Sequence, residues 1–586
     1  MIKKIVFILL LLALGGSLFL YPNFKTIAAG IAILLFGMMM LEEGFKVFTK
    51  GPLQSLLKKA TNKLYKSISA GALVTGLIQS SSLVTVITIS FISAGLISLS
   101  GGIGLIFGAN IGTTATAWLV AGFGLKINIS ALAMPMLVFG IIFSVQKKVS
   151  LKGLGNVLAG LGFFFLGIHF MKEGFDVFKD HIDLTQYAIS GFKGVLVYTA
   201  LGIIITTILQ SSSATLALIL TALAAGQIEY ENALALAIGA NVGTTITAVL
   251  GSLGSNIAGK RLAGAHFIFN VFTGVVALVF IYPLAQLVNT LSELAHIAAT
   301  DYTLKLAMFH SIFNITGVII MIPLIKTLER SLLKFFKDHK NKDIDEPKYL
   351  NEAVLKFPGS LISALMNESK YLYKNAVFEI VAHALNIHRE DIKSDEKVKN
   401  IIKKSTKNLQ TDVENLYYKK VKTIYGTIIR YAITAQNDLK LNKKEIIAIS
   451  DIKIANRKMV EIIKDARELN KNINLSLDLD NTYMIKEYDG FRKKLTKVLR
   501  IIYLFRKSED SEVYAKKLLQ LKNDAKENIR QSNKSIDRLI RKNLIPVEMA
   551  SSLFNDYTNV NDMIKKLIEV AELLYGQKDT LLDNDN

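Results

Sequence analysis

The sequence lacks most of what stabilises small secreted or soluble proteins. It has no cysteine, one tryptophan and 8 prolines in 586 residues. The lack of cysteine excludes a disulfide-stapled secreted domain. Charge is scarce in one part only: residues 1–340 hold 24 basic and 12 acidic residues, whereas residues 341–586 hold 45 and 36. Apolar runs of about 18 residues or more recur along the first part, so a single soluble enzyme is excluded and we expect no enzymatic activity.

The positive charge of the chain does not indicate a nucleic-acid partner. The formal net charge is +21, and +12 of it belongs to residues 1–340. The basic residues there stand in short clusters between apolar runs, as in the loops beside membrane helices. We therefore expect a lipid bilayer as partner and no nucleic acid.

An internal repeat organises the apolar part. Gln-Ser-Ser-Ser occurs at 79–82 and again at 210–213; we call these segments the first and second tetrads. Gly-Ala-Asn-Ile-Gly-Thr-Thr at 108–114 returns as Gly-Ala-Asn-Val-Gly-Thr-Thr at 239–245, and we call these the Gly-Ala-Asn motifs. Both pairs are offset by 131 residues, and Glu-Gly-Phe at 43–45 recurs at an offset of 130. Three matched elements in one order indicate a duplicated unit.

The basic residues also predict the topology. If the tetrad segments, about 68–98 and 191–226, are re-entrant hairpins, 18 basic residues of the first part lie in the cytoplasm and 6 outside, in agreement with the positive-inside rule. The two units are then inverted, which is typical of transporters. The predicted crossings, about eight, are 5–21, 27–48, 103–122, 129–146, 153–172, 230–250, 262–288 and 305–325.

These patterns predict an all-α polytopic membrane protein with both termini in the cytoplasm. Residues 1–26 form an N-terminal transmembrane helix; a cleaved signal peptide is the alternative. The first transport unit covers 27–150, and the second, with the last transmembrane helix, covers 151–335. Residues 341–586 have apolar positions at helical spacing and form a soluble cytoplasmic helical bundle.

The repeated motifs predict a binding site without charged side chains. No acidic residue lies between Ser67 and Met171, so a buried carboxylate relay is absent there, and so is an arginine clamp for an anion. Neutral oxygens and amides suit Na⁺, and hydroxyl groups and helix N-termini suit an oxyanion. A neutral site disfavours either ion alone at low dielectric, so we expect both to bind together. The candidate site residues are Gln79, Ser80, Ser81, Ser82, Thr85, Asn110, Thr113, Thr114, Gln210, Ser211, Ser212, Ser213, Asn241, Thr244 and Thr245.

Small and polar residues in membrane helices often serve packing alone. We accept that interpretation for Gly76, Gly104 and Gly251, but a polar tetrad repeated at a fixed distance from a second polar motif indicates function. His266-Phe-Ile-Phe-Asn270 and His310-Ser-Ile-Phe-Asn314 share a further pattern. A ligand or gate is one interpretation of these histidines, and a hydrogen bond to a neighbouring helix is the one we favour.

Over residues 25–330 the chain closely resembles the sodium-dependent phosphate cotransporter family, which contains the type II cotransporters of animals and their bacterial relatives. The paired tetrads and Gly-Ala-Asn motifs carry the resemblance. It implies that the tetrads meet near the bilayer centre and hold phosphate and sodium, with Asn110, Thr113, Thr114 and their repeat mates lining the same site. The electrogenic animal members have an acidic residue after their first such motif, whereas Gly122 to Asn128 contains none.

The tail resembles the PhoU-type helical bundles that are fused to many bacterial members of that family. Those bundles often bind metal through repeated acid-x-x-x-Asp motifs. Glu461-Ile-Ile-Lys-Asp465 occurs once, without a convincing second copy, and we interpret it as an exposed acid pair. No metal is predicted in the tail.

We therefore predict a sodium-coupled inorganic phosphate symporter that works by alternating access, with a regulatory cytoplasmic domain. Na⁺ is the coupling ion, no other cofactor is expected, and a homodimer is possible. The alternatives are a phosphate exporter, a transporter of another oxyanion, or a membrane-bound phosphate sensor that signals through the tail.

Overall fold

The structure, a computed structural model, is helical throughout the residues that it describes and has no strand among them. These residues are 12, 15–20, 22–49, 57, 59–126, 129–179, 188–337, 345–409, 411–478, 481–508, 511–545 and 547–576. The chain divides into two compact units, Met1–Lys337 and Asp338–Asn586. The all-α fold class is thereby confirmed.

The first unit consists of the helices α1 to α15. They are α1 (Pro22–Thr49), α2 (Leu64–Ile78), α3 (Ser81–Ser93), α4 (Leu99–Gly112), α5 (Thr114–Trp118), α6 (Ile129–Ser144), α7 (Val149–Lys179), α8 (Gly191–Leu209), α9 (Ser212–Ala224), α10 (Tyr230–Gly243), α11 (Thr245–Ser252), α12 (Ile257–Val279), α13 (Ile281–Leu294), α14 (Tyr302–Met321) and α15 (Ile325–Phe335). A π-helical segment, Leu119–Gly124, follows α5 directly.

Seven segments of the described residues are long and apolar enough to cross a membrane. They are Phe24–Phe45, Leu99–Gly124, Val149–Val177, Gly191–Leu209, Tyr230–Ser252, Ile257–Val279 and Tyr302–Phe335. Large apolar side chains such as Val138 and Phe139 are more than half exposed, as expected of a surface that faces lipid.

The seven segments differ from the eight predicted crossings in three places. Most of the predicted crossing 5–21 lies outside the described residues. The crossing predicted at 129–146 is α6, which has only 16 residues. Conversely, α8 (19 residues) is long enough to span, although we predicted it as one arm of a hairpin. The number of crossings, the re-entrant hairpins and the two cytoplasmic termini therefore remain predictions.

Each tetrad interrupts a pair of helices in the same way. Gln79 follows α2 with φ 60°, and Gln210 follows α8 with φ 53°, so both take the left-handed conformation that ends a helix. The next residue, Ser80 or Ser211, caps the following helix through its hydroxyl oxygen. Each tetrad thus lies at the apex of a helix–turn–helix.

Glycines allow α1 and α7 to pack backbone against backbone. A Cβ at Gly30 would collide with Met171, one at Gly37 with Phe164, and one at Gly44 with Val157. Since α1 numbers rise as α7 numbers fall, the two helices run antiparallel. The α7 glycines facing them, Gly160, Gly167 and Gly174, follow the α1 glycines at an offset of 130. This antiparallel packing of repeat mates supports the predicted inversion of the two units.

The glycines of the Gly-Ala-Asn motifs also serve close packing. A Cβ at Gly108 would overlap the carbonyl oxygen of Ile68 on α2, and one at Gly239 would overlap that of Thr199 on α8. Each motif is therefore held directly against the first arm of its own hairpin.

The second unit is an α-helical assembly. Its helices are α16 (Pro358–Leu372), α17 (Phe378–Ala384), α18 (Arg389–Lys393), α19 (Val398–Lys404), α20 (Val413–Lys420), α21 (Lys422–Asp438), α22 (Lys443–Asp478), α23 (Thr482–Lys507), α24 (Ser511–Arg541) and α25 (Val547–Ala571). The Glu461/Asp465 pair contacts Lys566, whose ammonium lies 2.7 Å from Asp465 and 3.7 Å from Glu461. The resemblance of the second unit to PhoU and the cytoplasmic, regulatory role of this unit remain predictions.

Candidate functional site

The two apexes present the N-termini of α3 and α9. Ser80 Oγ accepts the N–H of Leu83 at 3.2 Å, and Ser211 Oγ accepts that of Ala214 at 3.2 Å. These caps leave the N–H groups of the first helical residues after each cap without an intrahelical acceptor. The positive ends of two helix dipoles therefore lie beside the tetrads, an arrangement that suits an anion.

One hydroxyl joins the two tetrads. Thr116 Oγ1 on α5 lies 2.6 Å from Oε1 of Gln79, in the first tetrad, and 3.1 Å from Oγ of Ser213, in the second. Gln79 and Ser213 belong to different repeat units and are 134 residues apart. This contact therefore places the two apexes together.

A matching contact joins the first tetrad to the second repeat unit. Ser82 Oγ, in the first tetrad, lies 3.3 Å from Oγ1 of Thr247 on α11. Thr116 and Thr247 are 131 residues apart, and so are Ser82 and Ser213. The threonine that follows each Gly-Ala-Asn motif thus contacts the tetrad of the other unit, and the two contacts are repeat mates.

Thr116 and Thr247 were missed in the sequence, although a signal for them was present. Each stands two residues after the last threonine of its Gly-Ala-Asn motif, at the same offset of 131. Extending the repeated pattern by Thr-x-Thr would have included both residues.

An acidic side chain also reaches the first tetrad. Ser80 Oγ donates a hydrogen bond to Oε2 of Glu42, on α1, at 3.1 Å. Our expectation of a site without charged side chains is wrong at this point. The sequence pattern did not indicate Glu42 for two reasons. Glu42 lies 38 residues before Ser80, and it is not repeated, because the residue at an offset of 130 is Lys172.

The polar side chains of the first Gly-Ala-Asn motif bond to their own helix. Asn110 Nδ2 donates to the carbonyl of Ile106 at 2.9 Å, and Thr113 Oγ1 donates to that of Asn110 at 2.6 Å. Thr114 Oγ1 donates to the carbonyl of Ile111 at 2.8 Å. These contacts orient the side chains and leave oxygen lone pairs for a ligand.

Asn241, the repeat mate of Asn110, has a different environment. Its Oδ1 lies 3.0 Å from Nε2 of His310, and its Nδ2 donates to Oδ1 of Asn314 at 2.8 Å. Asn314 in turn donates to the carbonyl of His310 at 2.8 Å. His310 therefore hydrogen-bonds to a neighbouring helix, as favoured from the sequence, and this network attaches the second motif to α14.

The remaining predicted site residues lie on the same elements. Thr85 is buried on α3, and Ser212, Thr244 and Thr245 are buried at the start of α9 and at the α10–α11 junction. Ser81 is half-buried at the start of α3, and its mate Ser212 is buried at the start of α9. Gln210 is exposed, whereas its mate Gln79 is half-buried.

The arrangement offers oxygen ligands and N–H donors, and no catalytic constellation. The described residues contain no group of three or more His, Cys, Asp or Glu side chains that could hold a metal ion. Hydroxyl, carboxamide and carbonyl oxygens with a single nearby carboxylate suit a hard monovalent cation, and the two helix N-termini suit an anion.

The chain is similar in sequence to known proteins. The sequence model of a protein family described as Na+/Pi-cotransporter matches residues 33–173 and 184–322 of the chain. "Putative inorganic phosphate export protein YjbB" of Salmonella typhimurium is 29% identical over 334 residues, which are 56% of this chain and 59% of that protein. The protein of the same name from Escherichia coli K12 is 28% identical over 333 residues, with the same coverage.

"Uncharacterized protein YqeW" of Bacillus subtilis is 30% identical over 304 residues, which are 50% of this chain and 92% of that protein. The chain thus spans about three-fifths of the length of the YjbB proteins and nearly all of YqeW. No solved structure matches it significantly. The matched residues contain both tetrads, both Gly-Ala-Asn motifs and most of the apolar helices, and the chain therefore belongs to the Na+/Pi-cotransporter family of multi-pass membrane proteins.

Proposed function

We propose that the chain transports inorganic phosphate coupled to Na⁺ by alternating access. One observation carries the proposal: the tetrads of the two repeat units meet through Thr116, which contacts both Gln79 and Ser213. Two broken helix pairs that converge from repeated units are the usual site architecture of secondary transporters. The family of the chain and the names of its YjbB relatives support phosphate as substrate.

The chemistry of the apexes supports binding of both ions. Phosphate is a hydrogen-bond acceptor, and the two helix N-termini and the tetrad hydroxyls are groups that can donate to it. A multiply charged anion is costly to desolvate, and an accompanying cation reduces that cost. The site offers one carboxylate and many neutral oxygens, so Na⁺ is the cation that we propose.

The contacts of each tetrad with the threonine that follows the Gly-Ala-Asn motif of the other repeat unit indicate how access could alternate. Thr116–Ser213 and Ser82–Thr247 are single hydrogen bonds between neutral hydroxyls, each worth only about 1 kcal/mol. Separating one pair while the other remains closed would open the site to one side. The state open to one side of the membrane and the state open to the other would then be related by exchange of the roles of the two repeat units.

Net export is the second candidate. Its support is the name of the YjbB proteins, which describes them as putative inorganic phosphate export proteins. Export and uptake use the same site and differ in which gradient drives the flux.

Radiolabelled phosphate flux in proteoliposomes, with sodium gradients of either direction, tests the proposal. Sodium-dependent flux that follows the imposed sodium gradient in either direction is expected. Ser81→Ala and Ser212→Ala should each weaken phosphate binding about 10- to 100-fold, since a hydrogen bond to a charged group is worth about 1.5–3 kcal/mol. Ser144→Ala, on α6, makes the same chemical change outside the tetrads and should leave flux unchanged. Flux without sodium dependence, or no flux, contradicts the proposal.

A further inference from the structure

The contact between Glu42 and Ser80 gives the first tetrad a property that its sequence does not show. The hydroxyl hydrogen of Ser80 points to Glu42 Oε2 at 3.1 Å, and one lone pair of the same oxygen accepts the N–H of Leu83 at 3.2 Å. A serine hydroxyl has one hydrogen and two lone pairs. With the hydrogen held by the carboxylate, the second lone pair of Ser80 remains for a cation.

Glu42 brings an acidic side chain into contact with the first tetrad. It lies half-buried on α1, where its charge is less screened than in bulk water. A carboxylate hydrogen-bonded to a ligand atom orients that ligand and makes it more basic, which raises cation affinity.

The second tetrad has no equivalent of this carboxylate at the repeat position. Glu42 corresponds to Lys172 at an offset of 130, and Ser80 corresponds to Ser211 at an offset of 131. The apexes share their backbone conformation and serine caps, but among the described residues no carboxylate contacts Ser211 as Glu42 contacts Ser80. A cation is therefore favoured at the first apex relative to the second.

We infer that Glu42 is a positioning residue for Na⁺ at the first tetrad. It holds the hydrogen of the Ser80 hydroxyl away from the ion and leaves a lone pair of that oxygen for it. This inference rests on the proposed sodium-coupled transport and assigns its cation to the first of the two apexes.

Phosphate uptake by the full chain in proteoliposomes, measured over a range of Na⁺ concentrations, tests the inference. Glu42→Gln should raise the Na⁺ concentration for half-maximal uptake about ten-fold or more. The KM for phosphate at saturating Na⁺ should stay close to that of the unmodified chain. Glu43→Gln is the matched control, because it removes the same charge from the adjacent, exposed residue and should not change the sodium dependence.

The outcomes separate this inference from the proposed function. If the unmodified chain shows no sodium dependence, the proposed function fails and the inference fails with it. If it is sodium-dependent but Glu42→Gln leaves the half-maximal concentration unchanged, or Glu43→Gln raises it equally, only the inference is overturned. If Glu42→Gln does not assemble, Ser80→Ala, which removes the hydroxyl but keeps the carboxylate, must give the same rise; an unchanged sodium dependence overturns the inference.

Discussion

Individual side chains show how the two halves of the duplicated unit have diverged. Thr206 Oγ1 on α8 lies 3.0 Å from Oγ1 of Thr215 on α9, which joins the two arms of the second hairpin. The repeat mates are Thr75 and Val84. Since valine has no hydroxyl, Oγ1 of Thr75 is buried without a hydrogen-bond partner in the part of the chain that the structure describes. A buried hydroxyl in that state costs about 1–3 kcal/mol.

Val84→Thr should therefore stabilise the first hairpin. The new hydroxyl would stand where Thr215 stands in the second hairpin, giving Thr75 a partner, and Thr and Val have similar shapes. We expect a gain of about 1 kcal/mol, observed as a rise of roughly 1–3 °C in the unfolding temperature of the detergent-solubilised chain. Thr215→Val makes the converse change and should lower that temperature. A fall with Val84→Thr would show that Thr75 cannot use the hydroxyl.

At the scale of helices, the two compact units, Met1–Lys337 and Asp338–Asn586, each show a characteristic kind of contact between their own helices. In the first unit, α1 and α7 pack backbone against backbone through glycines, and each tetrad contacts the other repeat unit through single hydroxyl groups. The second unit uses buried polar side chains. Asn456 on α22 donates to Oγ of Ser369 on α16 at 2.6 Å, and Arg492 on α23 donates to the carbonyl of Leu385 at 2.9 Å.

Glu368, a buried residue of α16, has the clearest pH-dependent role among these contacts. Its carboxylate accepts the N–H groups of Lys348, Tyr349 and Leu350 at 3.1, 2.7 and 3.3 Å, so it attaches this segment to the helix. Burial raises the pKa of Glu368, and the three N–H bonds offset that rise only in part. The folded unit therefore binds the proton more tightly than the unfolded chain does.

This raised pKa predicts the sign of a pH effect. The stabilisation from protonated Glu368 is fully present below its unfolded-state pKa and is lost as the pH rises through its folded-state pKa. Relative to Glu368→Gln, which does not titrate there, the full-length chain should gain stability as the pH falls from 8 to 5. Calorimetry of the full chain measures this, with the tail transition identified by its loss from a chain that ends at Lys337.

Glu390→Gln provides a control of opposite sign. A hydrogen bond from Lys393 lowers the pKa of the exposed Glu390 carboxyl, so any stabilisation that it provides is lost as the pH falls. The same pH trend for both variants would contradict the assignment of the effect to Glu368.

Whether a part of the site could be predicted from the sequence depends on how far apart in the chain the interacting residues lie. The helix breaks at Gln79 and Gln210 are local, and their duplication marked them in the sequence. Contacts between distant helices left no local signal: Glu42 reaches Ser80 only because of how α1 packs. His310 was noted as a pattern, but its partner Asn241 lies 69 residues away and becomes evident only in the fold. Local pattern therefore identified the tetrads, and helix packing determined what surrounds them.

For the whole molecule, the net charge of +21 separates into parts with different physical meaning. The +12 of residues 1–340 lies mainly in the clusters that predict the topology, and the +9 of the tail belongs to a solvated helical assembly. Every candidate site residue, with Glu42, Thr116, Thr247 and His310, lies within Met1–Lys337. The residues that we propose for binding thus all belong to this compact unit, whereas a phosphate sensor would depend on the tail for its output.

Removal of the tail should therefore leave transport in place. We expect a chain that ends at Lys337 to show sodium-dependent phosphate flux in proteoliposomes with the ion dependence of the full chain, because its compact unit retains both apexes. A difference in the maximal rate alone would indicate regulation by the tail. Thr116→Val within the shortened chain is the negative control, since it removes the hydroxyl that joins Gln79 to Ser213 while keeping a similar side-chain volume. If the shortened chain folds and binds phosphate but carries no flux, the tail is part of the transport machinery, and the assignment of transport to the first unit alone is wrong.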